Sequence, residues 1–313
     1  MSKKIRIVQI SMIVAAAFVF HNASAQNAGK PSSGAETKAS AAGDATDRAK
    51  ALRAAADALG MIRWSDIGAG ATRLPGIDVV NTMEIFASGT VSNGGQSSTA
   101  DYHVALAYIP PSMRVEITRK GGDAASQHTI QTVRENYAWN ESEIGAGLIP
   151  GKGTATPAMP AAKARLLQLW ILPYGVVKAA IAAGDKTKVS AENGGTVITF
   201  PLSGNLAGIT VTATLDSKSL VTKVETRPDN PALANMATET EYSDYADHGE
   251  VLTDIKSPGH IVEKQAGKTM LDLQVKMIDA NNPYLVFPVP PNVKSASTSA
   301  STGGAGENQA SAR

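Results

Sequence analysis

The sequence predicts an α+β protein: a wide antiparallel β-sheet, apolar on one side, with a helical segment to cover that side. Three observations predict it. Over residues 209–277, Ile209, Val211, Ala213 and Leu215 alternate with Thr210, Thr212 and Thr214, and Leu271, Leu273, Val275 and Met277 alternate with Asp272, Gln274 and Lys276. A period of two sends alternate side chains to opposite faces, one buried and one wet. Residues 161–183 carry helical spacing instead, nearly all apolar. Finally, no polar linker divides the interior, which points to one large domain over residues 44–293.

In chain order, residues 1–25 read as a signal peptide. Lys3, Lys4 and Arg6 form its basic start, residues 7–20 its apolar run, and Ala23-Ser24-Ala25 a small-residue cleavage site. The alternative is an uncleaved anchor, but the apolar run is shorter than the ~20 residues a span needs. Residues 26–43 and 294–313 are rich in Ala, Ser and Gly and are expected to be a disordered linker and tail. A short helix follows the linker, with Asp44 as N-cap, Leu52 and Leu59 on one face, and Gly60 as its stop. Strands are then expected at Met83–Ser88, along Tyr102, Val104, Leu106 and Tyr108, along Met113, Val115 and Ile117, and over 127–139. Loops rich in Gly, Ser or Asn at 92–98 and at Gly121-Gly122-Asp123, with Pro110-Pro111, separate them, so a meander of hairpins is the simplest topology. Pro173 and Gly175 interrupt the helical stretch, which should break or kink there. Strands resume at Thr196-Val197-Ile198-Thr199-Phe200.

Composition removes several function classes. The chain has no cysteine, so it forms no disulfide, no thiolate metal site and no lipid-modified amino-terminal cysteine. With 29 basic and 28 acidic residues the charge is +1. Cleavage after Ala25 would remove three basic side chains and no acidic one, leaving −2. Such a chain has no electrostatic reason to seek nucleic acid or anionic lipid. The expectation is an exported, soluble, periplasmic protein with no stable membrane anchor after cleavage.

Four segments carry a resemblance to a known family. They are Asn136-Tyr137-Ala138-Trp139-Asn140-Glu141, the run from Leu169 through Pro173-Tyr174-Gly175 to Ala180, Val221-Thr222-Lys223-Val224-Glu225-Thr226, and Glu241-Tyr242-Ser243-Asp244-Tyr245. In this order the chain resembles the LolA/LolB-like periplasmic proteins. More narrowly it is similar to the amino-terminal domain that precedes metallo-β-lactamase-fold hydrolases in some bacteria, here without the hydrolase. The resemblance implies a strongly curved antiparallel sheet, an incomplete barrel, with helices over its concave face. It also implies that this concavity holds an apolar ligand such as an acyl chain.

Candidate sites are few. His103, His128, His248 and His260 are scattered without metal-binding spacing, and neither a metal site nor a cofactor is expected. No Gly-x-Ser-x-Gly elbow and no phosphate-binding glycine loop occurs. Tyr242, Asp244, Asp247 and His248, with Tyr245, form the one polar cluster that could bind a cation or act as acid and base. The same residues also suit a strand end running into a turn. Leu166, Leu169, Trp170, Tyr174, Val177 and Ile181 would face the sheet and line an apolar pocket under a helical lid, although an ordinary core would use the same side chains. The function expected is non-enzymatic binding of a lipid, a lipoprotein acyl chain or another hydrophobic small molecule. The alternatives are an interaction or accessory module for a separately encoded periplasmic enzyme and, last, a cryptic hydrolase.

Overall fold

The computed structural model describes residues 34–62, 80–93, 96–120, 127–192, 194–247 and 255–302. The expected signal peptide, the turn at Gly121-Gly122-Asp123 and His248 lie outside these residues. By its internal contacts the chain divides between Ser40 and Ala41, and the whole sheet belongs to the second unit. Helix α1 (Gly34–Ala58) comes first. The strands β1 (Thr82–Asn93), β2 (Gln96–Tyr108), β3 (Pro111–Arg119), β4 (Gln127–Arg134), β5 (Tyr137–Glu141) and β6 (Ala155–Pro157) follow it. Helices α2 (Ala162–Ile171) and α3 (Pro173–Ala183) lead to β7 (Lys188–Glu192), β8 (Gly195–Pro201), β9 (Ile209–Leu215), β10 (Val221–Pro228) and β11 (Thr238–Ser243). The short β12 (Ala246–Asp247) and β13 (Lys256–Ser257) pair with each other. The chain ends with β14 (His260–Gln265), β15 (Lys268–Ala280) and helix α4 (Pro291–Thr302).

Thirteen strands form one antiparallel sheet in the order β6-β5-β4-β3-β2-β1-β15-β14-β11-β10-β9-β8-β7, open at both edges. The sheet is strongly curved. Pro111 of β3 and Pro201 of β8 have seven strands between them in this order, yet both line one groove. In a flat sheet at ~4.8 Å per strand they would lie roughly 40 Å apart. The two wings therefore bend toward the same helices, and α2 and α3 lie against the concave face, α2 on β3–β5 and α3 on β8. This open, curved sheet with helices in its trough is the α+β architecture the sequence predicts.

The concave face follows the alternation. Met83, Ile85 and Ala87 of β1, Val104, Leu106 and Tyr108 of β2, and Met113, Val115 and Ile117 of β3 are buried together with Val211, Ala213 and Leu215 of β9. The expected break also forms: α2 and α3 meet at Leu172-Pro173 with a bend of 97°. Here Gly175 packs so closely that a β-carbon would sit 2.4 Å from the Leu169 carbonyl oxygen. Gly60 closes α1 with φ 71°, while the Met61 N–H donates to the Ala56 oxygen at 2.9 Å and the Gly60 N–H to the Asp57 oxygen at 3.0 Å. That is a Schellman C-terminus.

Four expectations are corrected. The stretch 127–139 is not one strand but the β4–β5 hairpin, turning at Glu135 (φ 53°) and Asn136. Met277 does not continue the inward series, and is 51% exposed. A bulge shifts β15 against β1 between Phe86 and Ala87, so Ala87 faces Val275 but Phe86 faces Met277. One extra residue exchanges the two faces, and Ile278 and Ala280 turn inward instead. Helix α1 starts at Gly34, ten residues before the expected cap at Asp44. Residues 291–302, most of them in the expected tail, form α4.

The convex face is also partly covered. Phe287 is buried on Ala105 and Ala107, and Val289 and Val293 pack on Trp139 and Ala155. The Arg134 Nη1 donates to the Phe287 oxygen at 3.2 Å, and Asn292 Nδ2 donates to the Ala155 oxygen at 2.7 Å. The C-terminal segment thus straps the outside of the β1–β6 wing.

Candidate functional site

Helix α2 and the concave face enclose a cleft. Its outer part, about 310 Å³, is lined by Val115, Ile117, Leu167, Met236, Met270 and Leu271 among others. Its inner part, about 60 Å³, is lined by Ile85, Val104, Met113, Tyr242, Ile261 and Leu273 among others. Tyr102, Gln168, Ile171, Glu263 and Leu271 line both, so the two parts adjoin and these residues form the neck between them. Every wall is dictated by register. Tyr102 lies opposite Ala87 and Ile117, and Glu263 lies opposite Thr240 and Leu271, all on the inward face.

The roof of the cleft is pinned at both ends. Arg165, buried on α2, donates from Nη1 to the Thr132 oxygen at 3.0 Å and the Trp139 oxygen at 2.7 Å, and from Nη2 to Asn140 Oδ1 at 2.6 Å. Burial pulls its pKa down to about 10. At the other end the buried Tyr242 hydroxyl donates to the Ile171 oxygen at 2.8 Å. The corner beyond is held by Tyr174, whose hydroxyl donates to the Lys256 oxygen at 2.6 Å and bonds the Ser257 hydroxyl. These bonds tie α2 to both wings of the sheet. Access runs through the outer part, past Ser92, Asn235, Met236, Gln265 and Met270.

Electrostatically the cleft holds one carboxyl. Glu263 is the sole Asp or Glu among the described residues lining it, with no Lys, Arg or His beside it. Loss of water raises its pKa to about 7. Burial, and next the charge of Glu263, push the Tyr102 and Tyr242 hydroxyls well above their ordinary value.

The residues expected to bind ligand fall in three places. Leu169, Tyr174 and Val177 are core. Leu166 and Trp170 line a separate groove of about 320 Å³ at the rim, where Trp170 stands 5.7 Å from the Tyr108 ring. Ile181 does not point inward as the spacing predicts: it is 55% exposed and borders a groove between α3 and α1 with Leu52 and Met61. None of the six lines the cleft under α2. The polar cluster is likewise divided. Tyr242 and Tyr245 turn in, the Tyr245 hydroxyl donating to the Val221 oxygen at 2.6 Å, whereas Asp244 and Asp247 are exposed. Among the described residues no group of three or more His, Asp or Glu is placed to hold a metal ion. No single helix among them is long and apolar enough to cross a membrane.

Sequence reasoning missed Glu263 and Tyr102 as cleft residues. Tyr102 carried a signal in the alternation of β2. Glu263 carried one only through register, as the residue two beyond Ile261.

No family model matches the sequence, and no curated protein does. Solved structures of similar shape exist. A LolA superfamily protein from Nitrosomonas europaea is 10% identical, covers 75% of this chain and 93% of its own, and has a TM-score of 0.40. A DUF1329 family protein from Desulfovibrio piger is 8% identical, with 67% and 89% covered and a TM-score of 0.41. An outer membrane lipoprotein-sorting protein domain from Vibrio parahaemolyticus is 10% identical, with 66% and 86% covered and a TM-score of 0.36.

Proposed function

We propose that this protein is a non-enzymatic, exported carrier that holds a hydrophobic ligand in the cleft between α2 and the concave sheet face. The observation that supports this best is the cleft itself: largely apolar inner walls from six central strands, a helical roof, and an opening to solvent. Its volume lies at the lower end of the ~300–1,000 Å³ usual for small-molecule sites. It suits one acyl chain or one small hydrophobic molecule rather than several chains at once. Burial of the ligand's apolar surface, at about 25 cal/mol per Å², would drive binding. A periplasmic location agrees with the basic and apolar segments at residues 1–25. The narrower likeness to a hydrolase-linked domain motivates one alternative, docking on a separate periplasmic protein. A hydrolase built on Tyr242, Asp244 and Asp247 has no support, since the tyrosine and the carboxyls face opposite ways.

Titration with the neutral fluorescent probe 1-N-phenylnaphthylamine tests the reading. Saturable single-site binding is expected. Ala164→Trp, on the exposed side of α2 at the mouth, should weaken it at least tenfold while leaving the circular dichroism unchanged. A probe that never saturates, or an indifferent Ala164→Trp variant, would overturn the carrier. A stable protein partner recovered without ligand would then support docking.

A further inference from the structure

Five polar side chains stand at the neck or inner part of the cleft, among mostly apolar neighbours there: Glu263, Tyr102, Thr240, Gln168 and Tyr242. Glu263 and Thr240 are direct cross-strand neighbours, a pairing that brings β-carbons to roughly 5 Å. The buried Thr240 hydroxyl makes no hydrogen bond of normal geometry, although the Tyr242 hydroxyl lies near it, and among the described residues no side chain bonds the Glu263 carboxyl, the Tyr102 hydroxyl or the Gln168 amide. Buried polar groups are normally satisfied, and a group left open costs about 1–3 kcal/mol. Arg165 and Tyr174, in the trough outside this cleft, have partners, as does Tyr242 within it. The open groups therefore gather where a ligand would lie.

We infer that the neck of the cleft is a head-group subsite for a single-chain amphiphile bearing a primary amine. The inference rests on the carrier reading above. The chemistry of the walls selects the class. The carboxyl of Glu263 accepts hydrogen bonds and, among the described residues, carries the only formal charge in the lining. An ammonium donates three hydrogen bonds and would share them among Glu263, the Thr240 oxygen and the Gln168 carbonyl. A carboxylate or phosphate head would meet Glu263 with no cation nearby to balance it. The apolar chain would run inward between Ile85, Val104, Ile261 and Leu273.

The groups facing Glu263 are Thr240 and Tyr242 from β11, Leu271 from β15, Tyr102 from β2 and Gln168 from α2. Among the described residues the tyrosines are the only other titratable groups, and both remain neutral. The carboxyl of the empty protein is ionised above pH 7 and largely protonated below it, so an ammonium is held best at alkaline pH. Near pH 6 its binding releases a proton.

The test is displacement of the same probe by dodecylamine, dodecanol and dodecanoic acid, each below its micellar concentration, at pH 6 and pH 8. At pH 8 dodecylamine should bind at least tenfold more tightly than dodecanoic acid. Its affinity should fall about tenfold at pH 6, with proton release seen by calorimetry in buffers of different ionisation heat, while dodecanol stays unchanged. Glu263→Gln should abolish the preference and the pH dependence but still bind dodecanol. Equal binding of all three by the native protein would overturn the head-group subsite and leave the carrier standing. No binding of any would overturn both. Thr240→Val, which keeps the carboxyl, should lower dodecylamine affinity less than Glu263→Gln does, and the reverse order would count against the subsite.

Discussion

At Glu263 the cost of burying a carboxyl in a largely apolar wall is measurable without any ligand. Its pKa rises from 4.5 to about 7 because folding takes the carboxyl out of water. A raised pKa means that the folded state holds its proton more tightly than the unfolded state does. The associated stability is fully present below 4.5 and lost as pH rises through about 7. The shift corresponds to about 2 kcal/mol once access of water through the mouth is allowed for. Glu263→Gln should therefore match the native protein near pH 4 and exceed it by about that amount at pH 8 in urea denaturation. Equal stabilities at pH 8 would show that the carboxyl is fully hydrated. His103 titrates in a neighbouring window and must be separated from it. Burial alone would lower the imidazole pKa, but Glu116 and then Glu84, each hydrogen-bonded to the ring at 3.1 Å, raise it above 6.5. Its stability is present below 6.5 and lost above the raised value. His103→Gln should flatten the part of the pH curve above 6.5 and leave the part between 4.5 and 6.5 intact, and it should also weaken the loss of stability below 4.5, since His103 is the main cause of the lowered Glu116 pKa.

Among the elements, α2 decides whether the cleft keeps its shape. Arg165→Met keeps the length of the side chain but strands the Thr132 and Trp139 carbonyls and Asn140 Oδ1, at a cost of about 3 kcal/mol. Gly175→Ala forces a β-carbon against the Leu169 carbonyl and should cost about 1–3 kcal/mol by overpacking the corner. Both changes should speed amide exchange along α2. Exchange as slow as in the native protein would show that packing alone holds the roof. The legibility of these features differs for physical reasons. The strands on the concave face were legible because burial on one side imposes the period of two. The 97° corner was legible because proline has no N–H to donate. The β4–β5 hairpin was not, since Glu135 takes a positive φ without being Gly, Asn or Asp. Met277 was misplaced because a bulge leaves no mark in a single strand's pattern. Arg165 reads as a surface residue in a helical stretch, and its burial follows only from where the β4–β5 wing lies. Glu263 becomes a cleft residue only when β14 is paired with both β11 and β15.

For the molecule as a whole, the order of strands ties its two ends together. β1 pairs with β2 on one side and with β15 on the other, so Met83 lies opposite both Leu106 and Ala280. The cleft straddles this seam, with β1–β3 on one side and β11, β14 and β15 on the other. Just beyond β15 the chain crosses to the convex side, where Phe287 fills the surface over Ala105 and Ala107 and the Arg114 guanidinium stands 5.8 Å from its ring. Strand β2 thus carries the strap on one face through Ala105 and Ala107 and the cleft on the other through Tyr102 and Val104. Phe287→Ala should remove about 3 kcal/mol, the usual cost of truncating a buried phenylalanine. Because Phe287 packs on the outward face of β2 and the cleft uses its inward face, the folded fraction of this variant should bind the apolar probe with unchanged affinity. Urea denaturation and probe titration below the transition measure the two quantities separately. If the affinity fell along with the stability, the strap would be setting the curvature of the β1–β6 wing and, through it, the width of the cleft.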